Sequence, residues 1–172
     1  MMFDTARSAA RAAAILAAPA ALCLPTAALA DTASSTMNVS ATVTANCTVS
    51  TSPVAFGTVN PISGSNVDAS GGITVTCTNG TDWDASAGVG AGSGASYAAR
   101  RMTAGTDLLN YNLYTNAART TVWGDGSGTT ALVSNTGTGV AQSVTIYGRV
   151  GSGQTSVPPG SYSDTVAVTV TY

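Results

Sequence analysis

From Met37 onward the chain alternates. Met37, Val39, Ala41, Val43, Ala45 and Cys47 are apolar or small, while Asn38, Ser40, Thr42, Thr44 and Asn46 between them are polar. A sustained period of two predicts a long half-buried strand, because successive side chains of a strand point to opposite faces. The same reading predicts strands at Val54–Val59, Ile73–Cys77, Trp83–Val89, Tyr97–Thr103, Leu108–Tyr114, Thr120–Trp123, Val144–Val150 and Tyr162–Tyr172. Turn signals separate them: Asn60-Pro61, Gly71-Gly72, Asn79-Gly80, Gly90–Gly94, Asp125-Gly126 and Pro158-Pro159-Gly160. Short strands at close spacing, without a convincing amphipathic helix, make an all-β antiparallel sandwich the expected architecture.

Composition narrows the chemistry. Only 8% of the 172 residues are charged, and there is no His. The basic residues are all Arg and the acidic ones all Asp, with no Lys and no Glu. Without His or Glu the usual general bases, His metal sites and Ser–His or Cys–His pairs are missing, so no enzyme, cofactor or metal is expected. So little positive charge also argues against a nucleic-acid partner. At 44% hydrophobic the chain has enough apolar material for a core and is not a solvated tail.

Residues 1–30 stand apart. Arg7 and Arg11 precede the Ala-rich apolar run Ala12–Leu24, and Ala28-Leu29-Ala30 before Asp31 makes an A-x-A cleavage pattern. This is the layout of a secretory signal peptide. A membrane-spanning helix is disfavoured, because the run falls short of about 20 residues and is interrupted by Pro19 and Pro25. Cys23 leaves with such a leader. Cys47 and Cys77 then form an even pair in an export context, which reads as one structural disulfide.

Both ends of the remaining chain invite a question about edges. The last predicted strand alternates in Val166, Val168, Val170 and Tyr172, and the sequence offers nothing after it to cover a sheet edge. The first lies before Cys47 and is reached through the polar segment Asp31–Ser35. It can pair within its own domain, as sequential strands usually do, or reach a neighbour. Lys is a common guard against chain-to-chain strand pairing, and this chain has none.

A set of ordered motifs resembles a known family. Phe56-Gly57-Thr58-Val59 follows the first Cys, then come Ile73-Thr74-Val75-Thr76-Cys77, Tyr111-Asn112-Leu113-Tyr114 and Trp123-Gly124-Asp125-Gly126. Tyr147-Gly148-Arg149-Val150 and Pro159-Gly160-Ser161-Tyr162-Ser163-Asp164-Thr165 complete the series, leading into an alternating strand that ends on an aromatic. Together they resemble the spore coat protein U domain, shared by spore-coat proteins and by subunits of archaic chaperone–usher pili. The resemblance covers about Asn46 to Tyr172. It implies an incomplete immunoglobulin-like β-sandwich that a donor strand from another chain completes. It further implies a division into leader 1–30, N-terminal extension and donor strand 31–46, and pilin domain 47–172. The donor side chains would be Met37, Val39, Ala41 and Val43, and the acceptor groove would be walled by Val166, Val168, Val170 and Tyr172. Partners implied are copies of the chain or related pilins in a head-to-tail fibre, a periplasmic chaperone and an outer-membrane usher. The expected location is the cell surface, reached through the periplasm, where the fibre would serve adhesion and biofilm formation. The expected role is a shaft or adaptor subunit.

Other constellations carry less. Asp82-Trp83-Asp84 puts two carboxylates on one strand face with no partner acid or base, so a solvated strand is expected. Asp125-Gly126 reads as a tight turn rather than a sugar site beside Trp123. Arg100-Arg101 is expected to pair with Asp residues at a surface or subunit contact. The competing functional classes are a spore- or cell-coat component and, further off, a secreted carbohydrate-binding module using Trp83 or Trp123.

Overall fold

The computed structural model describes residues 29–172. The leader read at 1–30 therefore lies, except for Leu29 and Ala30, outside the described residues. The chain divides into two units between Ser40 and Ala41. Of the first, residues 29–40 are described; they are exposed throughout and carry no regular secondary structure.

The second unit is built of antiparallel strands, and no helix occurs among the described residues. They are β1 (Cys47–Ser52), β2 (Val67–Cys77), β3 (Asp82–Ala87), β4 (Arg100–Ala104), β5 (Asp107–Tyr114), β6 (Val133–Thr136), β7 (Gln142–Val150) and β8 (Val168–Thr171). One sheet has the order β1-β2-β7-β5-β4 and the other β6-β3-β8. The core lies between the sheets, where the alternation of each strand delivers its apolar set: Ile73, Val75 and Cys77 from β2, Trp83, Ala85 and Ala87 from β3, Leu109, Tyr111 and Leu113 from β5, and Ile146 and Val150 from β7. The outward residues of β3 make cross-strand bonds. Thr136 donates to Asp82 at 2.6 Å and Ser134 donates to Asp84, so this carboxylate pair is bound to β6 hydroxyls.

Cys47 and Cys77 are register partners at the start of the β1–β2 ladder, and a disulfide joins them. They are 30 residues apart, a span for which the chain-entropy treatment gives about 3.7 kcal/mol of stabilisation. Replacing both with Ser is expected to lower the unfolding free energy by roughly 2–4 kcal/mol and to steepen the denaturant slope, since the unfolded chain is then free to expand, as read from urea or guanidinium unfolding.

The alternating segment that predicts a strand from Met37 forms none before Cys47; residues 31–46 are exposed and belong to no strand, with Thr44 and Asn46 alone bonded to Thr78. A period of two disposes a chain toward a ladder, but a ladder requires a second edge. Val54–Val59 and the part of Tyr162–Tyr172 before Val168 likewise stay outside named strands. β6, with its polar sequence Val133-Ser134-Asn135-Thr136, carries no alternation signal and forms through pairing with β3.

The Arg100-Arg101 expectation is corrected. Arg100 is fully buried at 0% exposure. Its guanidinium donates to the Gly88 carbonyl from Nε and Nη2 (2.9 and 2.8 Å), to the Trp123 carbonyl from Nη2 (2.7 Å) and to Asn112 Oδ1 from Nη1 (2.7 Å). Tyr97 lies beneath it at 5.5 Å. Neutral dipoles, not an Asp, hold this cation, because the planar fork can serve several carbonyls at once. Arg101 donates to the Ser93 carbonyl at 2.9 Å. The Asp partnerships fall elsewhere: Asp68 of β2 accepts two bonds from its cross-strand partner Arg149 (2.7 and 2.8 Å) and stands 3.2 Å from Arg119. The Arg149 hydrogen bonds hold the Asp68 carboxyl below its ordinary range.

Candidate functional site: an open groove between the sheets

β8 is a sheet edge. It pairs with β3 from Ala87↔Val168 to Asp84↔Thr171, and among the described residues no strand pairs with its other side. Past Ser52 the chain leaves β1 and runs over the inner face of the five-stranded sheet. Val54 and Phe56 approach β7 so closely at Gly148 that a Cβ there would stand 2.6 Å from Val54 Cγ1 and 2.8 Å from Phe56 Cζ. Only the hydrogen of glycine leaves that passage open. Gly148→Val is expected to displace this segment and cost about 1–3 kcal/mol by overpacking, measured by chemical denaturation.

Between residues 53–61 on one side and Val157–Val166 with Val168 on the other lies an open groove of about 1210 Å³. Its floor is apolar: Ile73, Leu109, Tyr111, Leu113, Trp123 and Ile146. Tyr111 is held from both walls. Phe56 meets its ring edge-on at a centroid distance of 6.0 Å, and its hydroxyl donates to Asp164 Oδ2 at 2.6 Å. Asp164 Oδ1 in turn accepts from the Ala91 amide at 2.7 Å. Burial, and then the bond to Asp164, push the Tyr111 phenol well above its ordinary range, so it stays a donor across physiological pH. The arrangement is an apolar trough whose floor and wall are joined by one polar tie, from Tyr111 to Asp164.

Val166 and Val168 line this groove. Val170 pairs with Ala85 farther along β8, and Tyr172 beyond the strand is 56% exposed. Met37 and Val39 are 88% exposed and Val43 is 83% exposed; Ala41 is exposed as well. The floor residues and the wall at Val54 and Phe56 are not among the groove residues expected from the sequence. Their alternation is visible, but nothing in one sequence says which apolar strand face borders an opening.

The carbohydrate-binding alternative loses its residues. Trp83 and Trp123 are both 2% exposed. Their indoles donate to Gln142 Oε1 (3.3 Å) and to the Ala85 carbonyl (3.0 Å). Neither offers a face on which a sugar could stack. Asp125 accepts from the Ser127 amide and hydroxyl and from Thr130, with Gly126 at φ 84°, which is the turn that its sequence predicts. Among the described residues no cluster of three His, Cys, Asp or Glu side chains could hold a metal.

The fold is an immunoglobulin-like, all-β sandwich with one sheet edge open, a form that many functions share; the family match places the chain among pilus or coat structural proteins. The chain belongs to the spore coat protein U domain family, which it matches over residues 33–169. It is 39% identical over 128 residues to Protein U of Myxococcus xanthus, a match covering 68% of this chain and 70% of that protein. Its fold is similar to a chain in the crystal structure of the chaperone–tip adhesion subunit pre-assembly complex from the archaic chaperone–usher Csu pili of Acinetobacter baumannii. The TM-score is 0.54 at 23% sequence identity. That likeness covers 76% of this chain and 40% of the other, so this chain spans about two fifths of that one's length.

Proposed function

We propose that the chain is an exported structural subunit that polymerises by donor-strand complementation. Residues 31–46 of one copy, led by Met37, Val39, Ala41 and Val43, enter the groove of the next. Val166 and Val168 form the pairing wall, which Val170 and Tyr172 prolong. The observation that carries this reading is a pair of unmet needs in one chain. An apolar groove of about 1210 Å³ runs beside an unpaired strand edge, and an exposed alternating segment is paired with no strand. Main-chain hydrogen bonds supply affinity and alternating side chains supply fit. The contact is heterologous and does not close, so it generates a fibre.

Before assembly the groove needs cover, since an exposed strand edge beside an apolar trough aggregates. A periplasmic chaperone is the partner of fitting chemistry, a reading supported by the chaperone complex in which the similar fold occurs. An outer-membrane usher then delivers a surface pilus for adhesion and biofilm formation. The family's spore-coat members support a second reading, the same strand exchange within a coat layer.

Deleting 31–46 tests the proposal. The shortened subunit is expected to remain monomeric, with no fibres by electron microscopy, and a peptide of residues 37–45 is expected to raise its melting temperature. Fibres from the shortened chain would overturn the donor assignment.

A further inference from the structure

Alternation alone leaves the register of a donor strand incomplete. A one-residue slip turns every apolar side chain outward and is excluded, but a two-residue slip preserves the apolar face. Something else must choose among registers of equal parity. On the floor of the groove, Leu109, Tyr111 and Leu113 follow one another at two-residue spacing on β5. The middle one is the aromatic, held between Phe56 and Asp164, so the bulkiest of the three side chains is fixed at that point of the floor. In the exposed segment Val39, Ala41 and Val43 have the same spacing, and the middle one is the small residue.

Resting on the donor-strand reading above, we propose that Ala41 of an incoming copy lies over Tyr111 and sets the register of assembly, with a valine on either side over Leu109 and Leu113. A slip of two residues in either direction would drive Val39 or Val43 against the pinned ring. Tyr111 is thus a specificity-determining residue, and the Asp164 carboxylate is its positioning residue.

Strand direction says which copy supplies the segment. The chain enters the domain at the disulfide end, where the Thr78 amide donates to the Asn46 carbonyl at 2.9 Å. β8 runs toward that same end, since Thr171 pairs with Asp84, near the start of β3. A segment reaching its own groove would therefore lie parallel to β8. A second copy is free to enter antiparallel, the better-bonded arrangement, which sets Val43 over Leu109 and Val39 over Leu113.

The test uses the full chain, exported and purified, with multimers counted by size-exclusion chromatography. Ala41→Leu is expected to reduce multimer formation at least tenfold, and Ala41→Leu combined with Tyr111→Leu to restore it. Synthetic peptides of residues 36–46 guard against misfolding of the Tyr111 variant. On the wild-type chain lacking 31–46, the Ala41→Leu peptide should bind at least tenfold more weakly than the native peptide, and the Val39→Leu peptide within about threefold. If Ala41→Leu assembles normally while Val39→Asp does not, the register is wrong and the donor reading stands. If both assemble normally, the donor reading itself falls. If Tyr111→Leu assembles alone yet fails to rescue Ala41→Leu, Tyr111 is not the partner.

Discussion

Val39→Asp is expected to reduce subunit association by about 10⁴-fold at pH 7 while leaving each subunit folded. Val39 is 88% exposed in the subunit, so the change removes no contact that the isolated fold depends on. In the proposed groove it faces the apolar floor. Burying a valine there is worth on the order of 2 kcal/mol, which the variant forfeits. The new carboxylate must also be desolvated or neutralised. Protonating an aspartate of pKa about 3.9 at pH 7 costs about 4 kcal/mol at 1.36 kcal/mol per unit, and this sets the ceiling on the penalty. The sum, about 6 kcal/mol, corresponds to about four decades. The ceiling has a consequence of definite sign. The carboxyl enters the groove only when protonated, so assembly of the variant should recover as pH falls toward 4 and be lost as pH rises. Ser40→Asp, on the opposite face of the same strand, should assemble as wild type. Equal effects at 39 and 40 would sink the strand assignment, because only a period-two contact separates neighbours.

Arg100→Met is expected to destabilise the fold by about 2–4 kcal/mol. Burial lowers the Arg100 pKa, the sign of a cation taken out of water. Replacing a buried ion pair with apolar groups is often neutral, but there both partners leave together. Here the partners are the carbonyls of Gly88 and Trp123, which no substitution at residue 100 removes. Each buried acceptor left bare costs about 1–3 kcal/mol. Arg100→Lys should recover only part of the loss, since an ammonium cannot reproduce the forked geometry. Trp123 also lies on the groove floor, so the loss should extend to binding of the 36–46 peptide. A denaturation midpoint unchanged within error would mean that water or a rearranged loop satisfies those carbonyls.

The all-β class, most strands and the cysteine partners were legible because each rests on a local pattern: alternation, turn dipeptides, an even pair of cysteines after residue 30. What was not legible depends on what a segment meets. Met37–Ala45 and Val54–Val59 carry apolar positions at two-residue spacing, yet neither is part of a strand, because alternation prepares a face and only pairing with an edge makes a ladder. β6 has no pattern of its own and exists through β3. Arg100 looked like a surface charge since nothing in an Arg-Arg doublet announces three neutral acceptors converging from distant positions. Val166 and Val168, groove wall only by the family resemblance, line this opening; their alternation alone marked a strand and not a groove. The floor at Leu109, Tyr111 and Leu113 was readable as core and not as an opening, a difference made by the course of residues 53–61.

The placement of the disulfide matters mechanically in a fibre built this way. Tension on such a fibre reaches each subunit through its N-terminal segment, which joins the domain at Cys47. Without a covalent link the load would fall on the outermost pair of the β1–β2 ladder and peel β1 away one bond at a time, the weakest way to pull on a sheet. With Cys47 bonded to Cys77, the force passes at once into β2, a strand flanked by β1 and β7. The six residues of β1 are then spared the pull. The bond that stabilises the subunit at rest is also the point through which a polymer of such subunits would carry strain without unzipping.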